Sequence, residues 1–96
     1  MDNSFYIINL YDYYGELLTE KQQRYFEDYY FNNLTLSEIA ENNSISRNAV
    51  HKQIKDVVIK LENYEAKLNL YQKGLKINEI ISNLDEKIKE EIKELI

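Results

Sequence analysis

Five polar side chains, Arg47, Asn48, His51, Lys52 and Lys55, recur at spacings that place them on one face of a helix. Their chemistry is that of base edges and phosphates. Arginine bonds guanine bidentately, asparagine can read adenine, and lysine neutralises backbone charge. Between them, Ala49, Val50 and Ile54 fall at three-to-four spacing and form an inward face. Upstream, Thr35 with Glu38 three residues on makes a capping box that starts a short helix carrying Ile39 and Ala40. Asn42-Asn43-Ser44 interrupts that helix, and Ser46 suits the N-cap of the next. A short helix, a tight turn and a second helix with a partly basic outer face form a helix-turn-helix, the architecture that enters a major groove. Thr35 and Ser37 are further candidate DNA contacts, offering hydroxyl and amide donors to a phosphate. The plainer reading of the whole set is a capping pair and a solvated helix face.

Other chemistries find less support. There is no cysteine, and the one histidine, His51, has no second His or nearby carboxylate cluster to make a metal site. No nucleophile–base pair or glycine-rich phosphate loop occurs, so no catalytic residue, metal or cofactor is expected, and the chain reads as a non-enzyme. Nine tyrosines invite stacking on single-stranded nucleic acid. Tyr11, Tyr14, Tyr25 and Tyr29 nevertheless lie at helical spacing on apolar faces, which favours core packing.

The elements that must position the polar face read as all-α. A first helix is predicted over residues 5–14, with Ile7, Leu10, Tyr11 and Tyr14 on one side, and Gly15 is expected to end it in the left-handed conformation. Thr19 with Gln22 forms a second capping box, opening a helix to about Phe31 whose apolar side is Leu18, Tyr25, Phe26, Tyr29 and Tyr30. Sustained period-two alternation is absent, so no sheet and no wing is expected. Val50, Ile54, Val57, Leu61, Tyr64, Leu68 and Tyr71 alternate at steps of four and three, the spacing of a coiled-coil seam. That spacing predicts one long recognition helix over residues 47–71, roughly 38 Å at 1.5 Å per residue. Beyond Gly74, which permits a reversal, Ile77, Ile80, Ile81, Leu84, Ile88, Ile92, Leu95 and Ile96 form the apolar stripe of a C-terminal amphipathic helix that Ser82 and Asn83 could divide. The expected organisation is a helix-turn-helix domain over residues 1–72 and a C-terminal helix over 73–96. The paired stripes point to a homodimer through Leu61, Tyr64, Leu68, Tyr71, Leu84 and Ile88.

Charge opposes tight DNA binding. The chain carries a net charge of −5, and affinity for nucleic acid comes largely from neutralised phosphates. Acidity is uneven, however. Residues 1–34 hold six acidic and two basic side chains, whereas residues 35–60 hold three acidic and four basic. The one segment that is not acidic contains the recognition helix. Residues 1–3 lack a basic n-region, and no run approaches the roughly 18 apolar residues of a membrane span. A soluble cytoplasmic protein with no membrane partner is expected, in keeping with the absence of cysteine.

Residues 10–70 closely resemble a family of small bacterial helix-turn-helix proteins, the YlxM-like family, encoded beside the gene for the GTPase subunit of the signal recognition particle. The resemblance rests on Leu-Tyr-Asp-x-Tyr at 10–14, Leu-Leu-Thr-x-Lys-Gln at 17–22, Ser-Glu-Ile-Ala at 37–40, Ile-Ser-Arg-x-Ala-Val at 45–50 and Leu-Glu-x-Tyr-Glu-x-Lys-Leu at 61–68. It implies a regulatory role around the signal recognition particle pathway, with DNA as partner or, alternatively, with a protein or the RNA of that particle. The helix-turn-helix also resembles the promoter-contacting region 4 of sigma factors. Two departures stand out. Asn43 and Ser44 occupy positions where such motifs usually carry an apolar residue and a glycine. His51 and Lys52 replace a Tyr and Asp of the family pattern, which makes this recognition helix more basic.

Overall fold

The computed structural model describes residues 3–96 as six α-helices and one 3-10 turn, with no strand among the described residues. In order these are α1 (Ser4–Tyr14), the turn Gly15–Leu17, α2 (Glu20–Tyr30), α3 (Leu36–Asn43), α4 (Arg47–Leu68), α5 (Leu70–Ile81) and α6 (Glu86–Lys93). The all-α expectation holds, and the helix starts follow local chemistry. The Thr19 hydroxyl accepts the Gln22 N–H while the Gln22 side chain accepts the Thr19 N–H, both at 3.1 Å. Thr35 and Glu38 repeat this reciprocity, and Ser46 accepts the Ala49 N–H at 3.1 Å.

α4 is the axis of the molecule. Its N-terminal half packs on α3 and α2, where Val50 and Ile54 meet Ile39 and Ala40 of α3 and Tyr25 of α2. Its second half packs on α1 and α2, where Val57 and Leu61 meet Ile7, Leu10, Tyr14, Leu18 and Phe26. Each such apolar side chain fully withdrawn from water contributes about 1.5–3 kcal/mol. Aromatic stacking reinforces this cluster: the Tyr11 and Phe26 rings lie 4.2 Å apart and nearly parallel, with Tyr30 stacked on Phe26 at 4.5 Å. The tyrosines therefore serve packing first, although Tyr29 is exposed and Tyr11 is only partly buried.

Several sequence expectations are corrected. Gly15 has φ −56°, an ordinary right-handed value, and continues into the 3-10 turn. Its need is spatial, because a Cβ there would lie 3.0 Å from the Tyr11 ring. The helix predicted over 47–71 stops at Leu68, where Asn69 turns left-handed at φ 57°. A buried carboxylate dictates the break. Glu65 accepts the N–H groups of Tyr71 and Gln72, each at 3.1 Å, and the Tyr14 hydroxyl at 2.5 Å; that hydroxyl oxygen in turn accepts the Leu70 N–H at 3.0 Å. First-turn amides of α5, which have no partner within their own helix, are thus satisfied by side chains of α4 and α1. Gly74 makes no reversal either. It lies buried inside α5, where an added Cβ would collide with the Tyr13 hydroxyl.

The long seam is consequently covered from within the chain by α1 and α2, rather than by the C-terminal segment. Leu61 is fully enclosed, so the expected intermolecular contact at that residue is not met. Leu68 falls at the break and is exposed, Tyr64 and Tyr71 pack against the α1 side of the core, and Leu84 and Ile88 are exposed. The C-terminal stripe divides at residues 82–85 into α5 and α6. This arm extends the molecule to 52 × 28 × 25 Å with a radius of gyration of 16.4 Å. A compact domain of this length would have a radius near 12–13 Å.

Candidate nucleic-acid interface

The turn between α3 and α4 sets the geometry of the polar face. α3 ends at Asn43, and Ser44 adopts the left-handed conformation at φ 55°, ψ 41°, where glycine is usual. The Ile45 N–H returns to the Ala40 carbonyl at 3.0 Å, closing the helix end. The Asn43 side-chain amide donates to the Ile39 carbonyl at 2.7 Å. The αL residue lets the chain reverse within three residues, so that α4 starts at Arg47 with its apolar stripe already against α3.

Arg47, Asn48, His51, Lys52 and Lys55 are all exposed on α4. At about 100° per residue they cover an arc of roughly 140°, whose Arg47 edge borders the stripe of Val50, Ile54, Val57 and Leu61 and whose Lys52 edge lies far from it. The sequence expectation that they share one solvent-facing surface is therefore matched by their placement. Their charges are not equivalent. Lys52 forms an ion pair with Asp56 at 2.8 Å on the exposed surface. Arg47 and Lys55 form no ion pair among the described residues. The carboxylate of Asp56 thus offsets one cation of the face.

Thr35 and Ser37 are exposed at the start of α3. The capping box engages the N–H groups of both Thr35 and Glu38. Hydrogen bonds from the Thr35 backbone, then its side chain, hold the Glu38 carboxyl below its usual range, so it is ionised where a phosphate would sit. Structural capping is the role the geometry supports for Thr35.

A neighbouring feature escaped sequence reading. Tyr29, Tyr30, Leu36, His51, Ile54, Lys55 and Val58 line a shallow cleft of about 230 Å³ at the edge of the recognition helix. It places the phenol of Tyr29 beside the polar face, a grouping that helical spacing on α2 could not reveal because it depends on how α2 crosses α4. A second cleft, between α1 and α2, is acidic, with Asp12, Glu16 and Glu27 around it. No group of His, Asp or Glu among the described residues is arranged to hold a metal ion, and no described helix is long and apolar enough to cross a membrane.

An all-α bundle that carries an α3–turn–α4 unit with a polar, cationic outer face is a helix-turn-helix protein. Over residues 1–96 the chain matches the model of the UPF0122 family, described as "Putative helix-turn-helix protein, YlxM / p13 like", and belongs to that family. A UPF0122 protein of Fusobacterium nucleatum is 42% identical over 97 residues, spanning 100% of this chain and 94% of that protein. One from Halalkalibacterium halodurans is 42% identical across 92% of this chain and 81% of its own length. One from Malacoplasma penetrans reaches 56% identity over 62% of this chain and 55% of its own length.

Proposed function

We propose that this protein is a cytoplasmic, non-enzymatic regulator that binds duplex DNA through the outer face of α4 and acts as a homodimer. The observation that carries this reading is the common exposure of Arg47, Asn48, His51, Lys52 and Lys55 on the helix that follows the Ser44 turn. Arg47 and Asn48 lie in the first turn, the part of a recognition helix that reaches base edges. Lys52 and Lys55, further along, suit phosphates. Two copies would meet successive major grooves if their recognition helices stood about 34–36 Å apart.

A second reading is supported, for a protein partner, by the net charge of −5, which opposes RNA phosphates as it does those of a duplex. In it the same face contacts a protein or the RNA of the signal recognition particle, the pathway implied by the family resemblance, and local charge complementarity steers the encounter. Fluorescence anisotropy across a salt series, with duplex DNA and with that RNA, separates the two. The DNA reading expects duplex affinity that falls with salt at roughly 0.9 per phosphate neutralised and is lost in Arg47→Ala. No duplex binding at low salt overturns it.

A further inference from the structure

The arm formed by α5 and α6 leaves an unusual amount of apolar surface in water. Eight aliphatic residues between Leu68 and Ile96 are each at least 42% exposed, including Ile80 at 66% and Leu95 at 85%. α6 buries none of its residues, although a lone helix of that length is marginal in water. Between the arm and α1 runs a groove of about 310 Å³ lined by Tyr13, Leu70, Gly74, Ile77, Leu95 and Ile96, with Lys73 at its lip. The Tyr13 hydroxyl lies close over Gly74, where a Cβ would stand.

We propose that this arm is a docking surface for a second copy of the same chain, with α6 of each copy lying across the α5–α6 arm of the other about a two-fold axis. This deepens the homodimer of the preceding reading and stands apart from its DNA contact. Three observations select a second copy as occupant. The eight side chains expose several hundred Å², the scale of the roughly 800 Å² per partner that a stable interface buries. The extended shape, with its excess radius of gyration, leaves the outer side of the arm open even though Leu95 and Ile96 lie near Tyr13 of α1. The third is charge. Around the α6 stripe, Glu86, Lys87, Glu90, Glu91, Lys93 and Glu94 mix both signs, and Lys73 adds a cation at the lip. A partner of one strong sign would leave half of these unmatched. A two-fold copy carries the same mixture, so each lysine–glutamate contact that it makes occurs twice, since residue i meets j wherever j meets i.

The test is sedimentation equilibrium of the full chain without nucleic acid, over micromolar to hundreds of micromolar concentrations. The expected mass is twice the 11.5 kDa of one chain. Ile88→Glu with Leu95→Glu, both exposed positions, should weaken association by at least about tenfold while the far-ultraviolet circular dichroism is retained. Ile88→Ser alone carries the test should the double variant lose helix. Ile59→Glu, at an exposed position on α4 outside the arm, should leave the dimer intact. A chain that stays at 11.5 kDa throughout overturns the proposal. So does a dimer that survives the arm variants or is lost in Ile59→Glu. Duplex binding by an arm variant that is monomeric would leave the DNA reading standing without this surface.

Discussion

The Tyr14 hydroxyl donates to the Glu65 carboxylate at 2.5 Å across 51 residues of sequence, and the pair sits where α1, α4 and α5 converge. Both residues are buried, Tyr14 at 1% and Glu65 at 6% exposure. Their bond and the amides they accept explain why the chain leaves α4 at Asn69 and redirects into α5. The orientation of the arm therefore depends on a polar junction inside an otherwise apolar core.

Removing the hydroxyl in Tyr14→Phe leaves the Leu70 N–H and one carboxylate lone pair without a protein partner. A loss of about 1–3 kcal/mol is expected from such an orphaned group, read as a fall in the urea midpoint.

The same phenol makes stability sensitive to alkali. Burial pushes its pKa above the usual 10.0, and the hydrogen bond to Glu65 pushes the same way. Tyr11 and Tyr6 are shifted upward too, chiefly by burial. A raised folded value means the neutral phenol is favoured by folding. Its contribution is complete below pH 10 and is lost as the pH rises through the folded value. Urea midpoints should be level up to about pH 10 and decline above it, less steeply in Tyr14→Phe.

Much of the fold was legible because its determinants are local. The two capping boxes, the Ser46 cap and the apolar spacing of α4 each involve residues within one or two turns. The exposed polar face of α4 followed from the same periodicity. The end of α4 did not, because the apolar repeat runs unbroken through Leu68 and Tyr71 while the break is imposed by the Glu65 carboxylate, buried through its pairing with Tyr14 on a distant helix. Gly15 and Gly74 look like helix breakers in sequence, yet both continue right-handed backbone; at Gly15 the Tyr11 ring leaves little room for a Cβ, and at Gly74 the Tyr13 hydroxyl lies close. The coverage of Leu61 by α1 and α2 likewise depends on packing that no spacing along α4 contains.

Gly15→Ala tests the spatial reading of that glycine. Its backbone is right-handed, so alanine alone would stabilise it by up to about 1 kcal/mol. The Tyr11 ring, however, is stacked on Phe26 and its hydroxyl bonds Glu27 at 2.5 Å, so it cannot easily withdraw. The crowding should prevail, with a net destabilisation of about 1–2 kcal/mol, measured by chemical denaturation.

Ser44→Gly should act in the opposite direction. A non-glycine residue at φ 55° carries a steric cost, and its relief is worth about 1 kcal/mol after allowance for the more flexible unfolded chain. A gain of several degrees in the thermal midpoint, about 4–8 °C for a domain of this size, is the expected readout.

Asp56→Asn bears on function rather than stability. The Lys52–Asp56 pair is solvent-exposed, so its loss should change folding free energy by less than about 1 kcal/mol. On the DNA reading the substitution removes a negative charge beside the phosphate path and releases Lys52 from its partner. Duplex affinity should then rise a few-fold at low salt, and the slope of log affinity against log salt should steepen by up to about 0.9, one further phosphate contact. Lys52→Ala should weaken binding less than Lys55→Ala, because only the latter removes a cation with no ion-pair partner among the described residues. Anisotropy titrations of the three variants, compared with Arg47→Ala, give the order of effects. An Asp56→Asn protein with unchanged duplex affinity and salt slope would place the contact elsewhere than this stretch of α4.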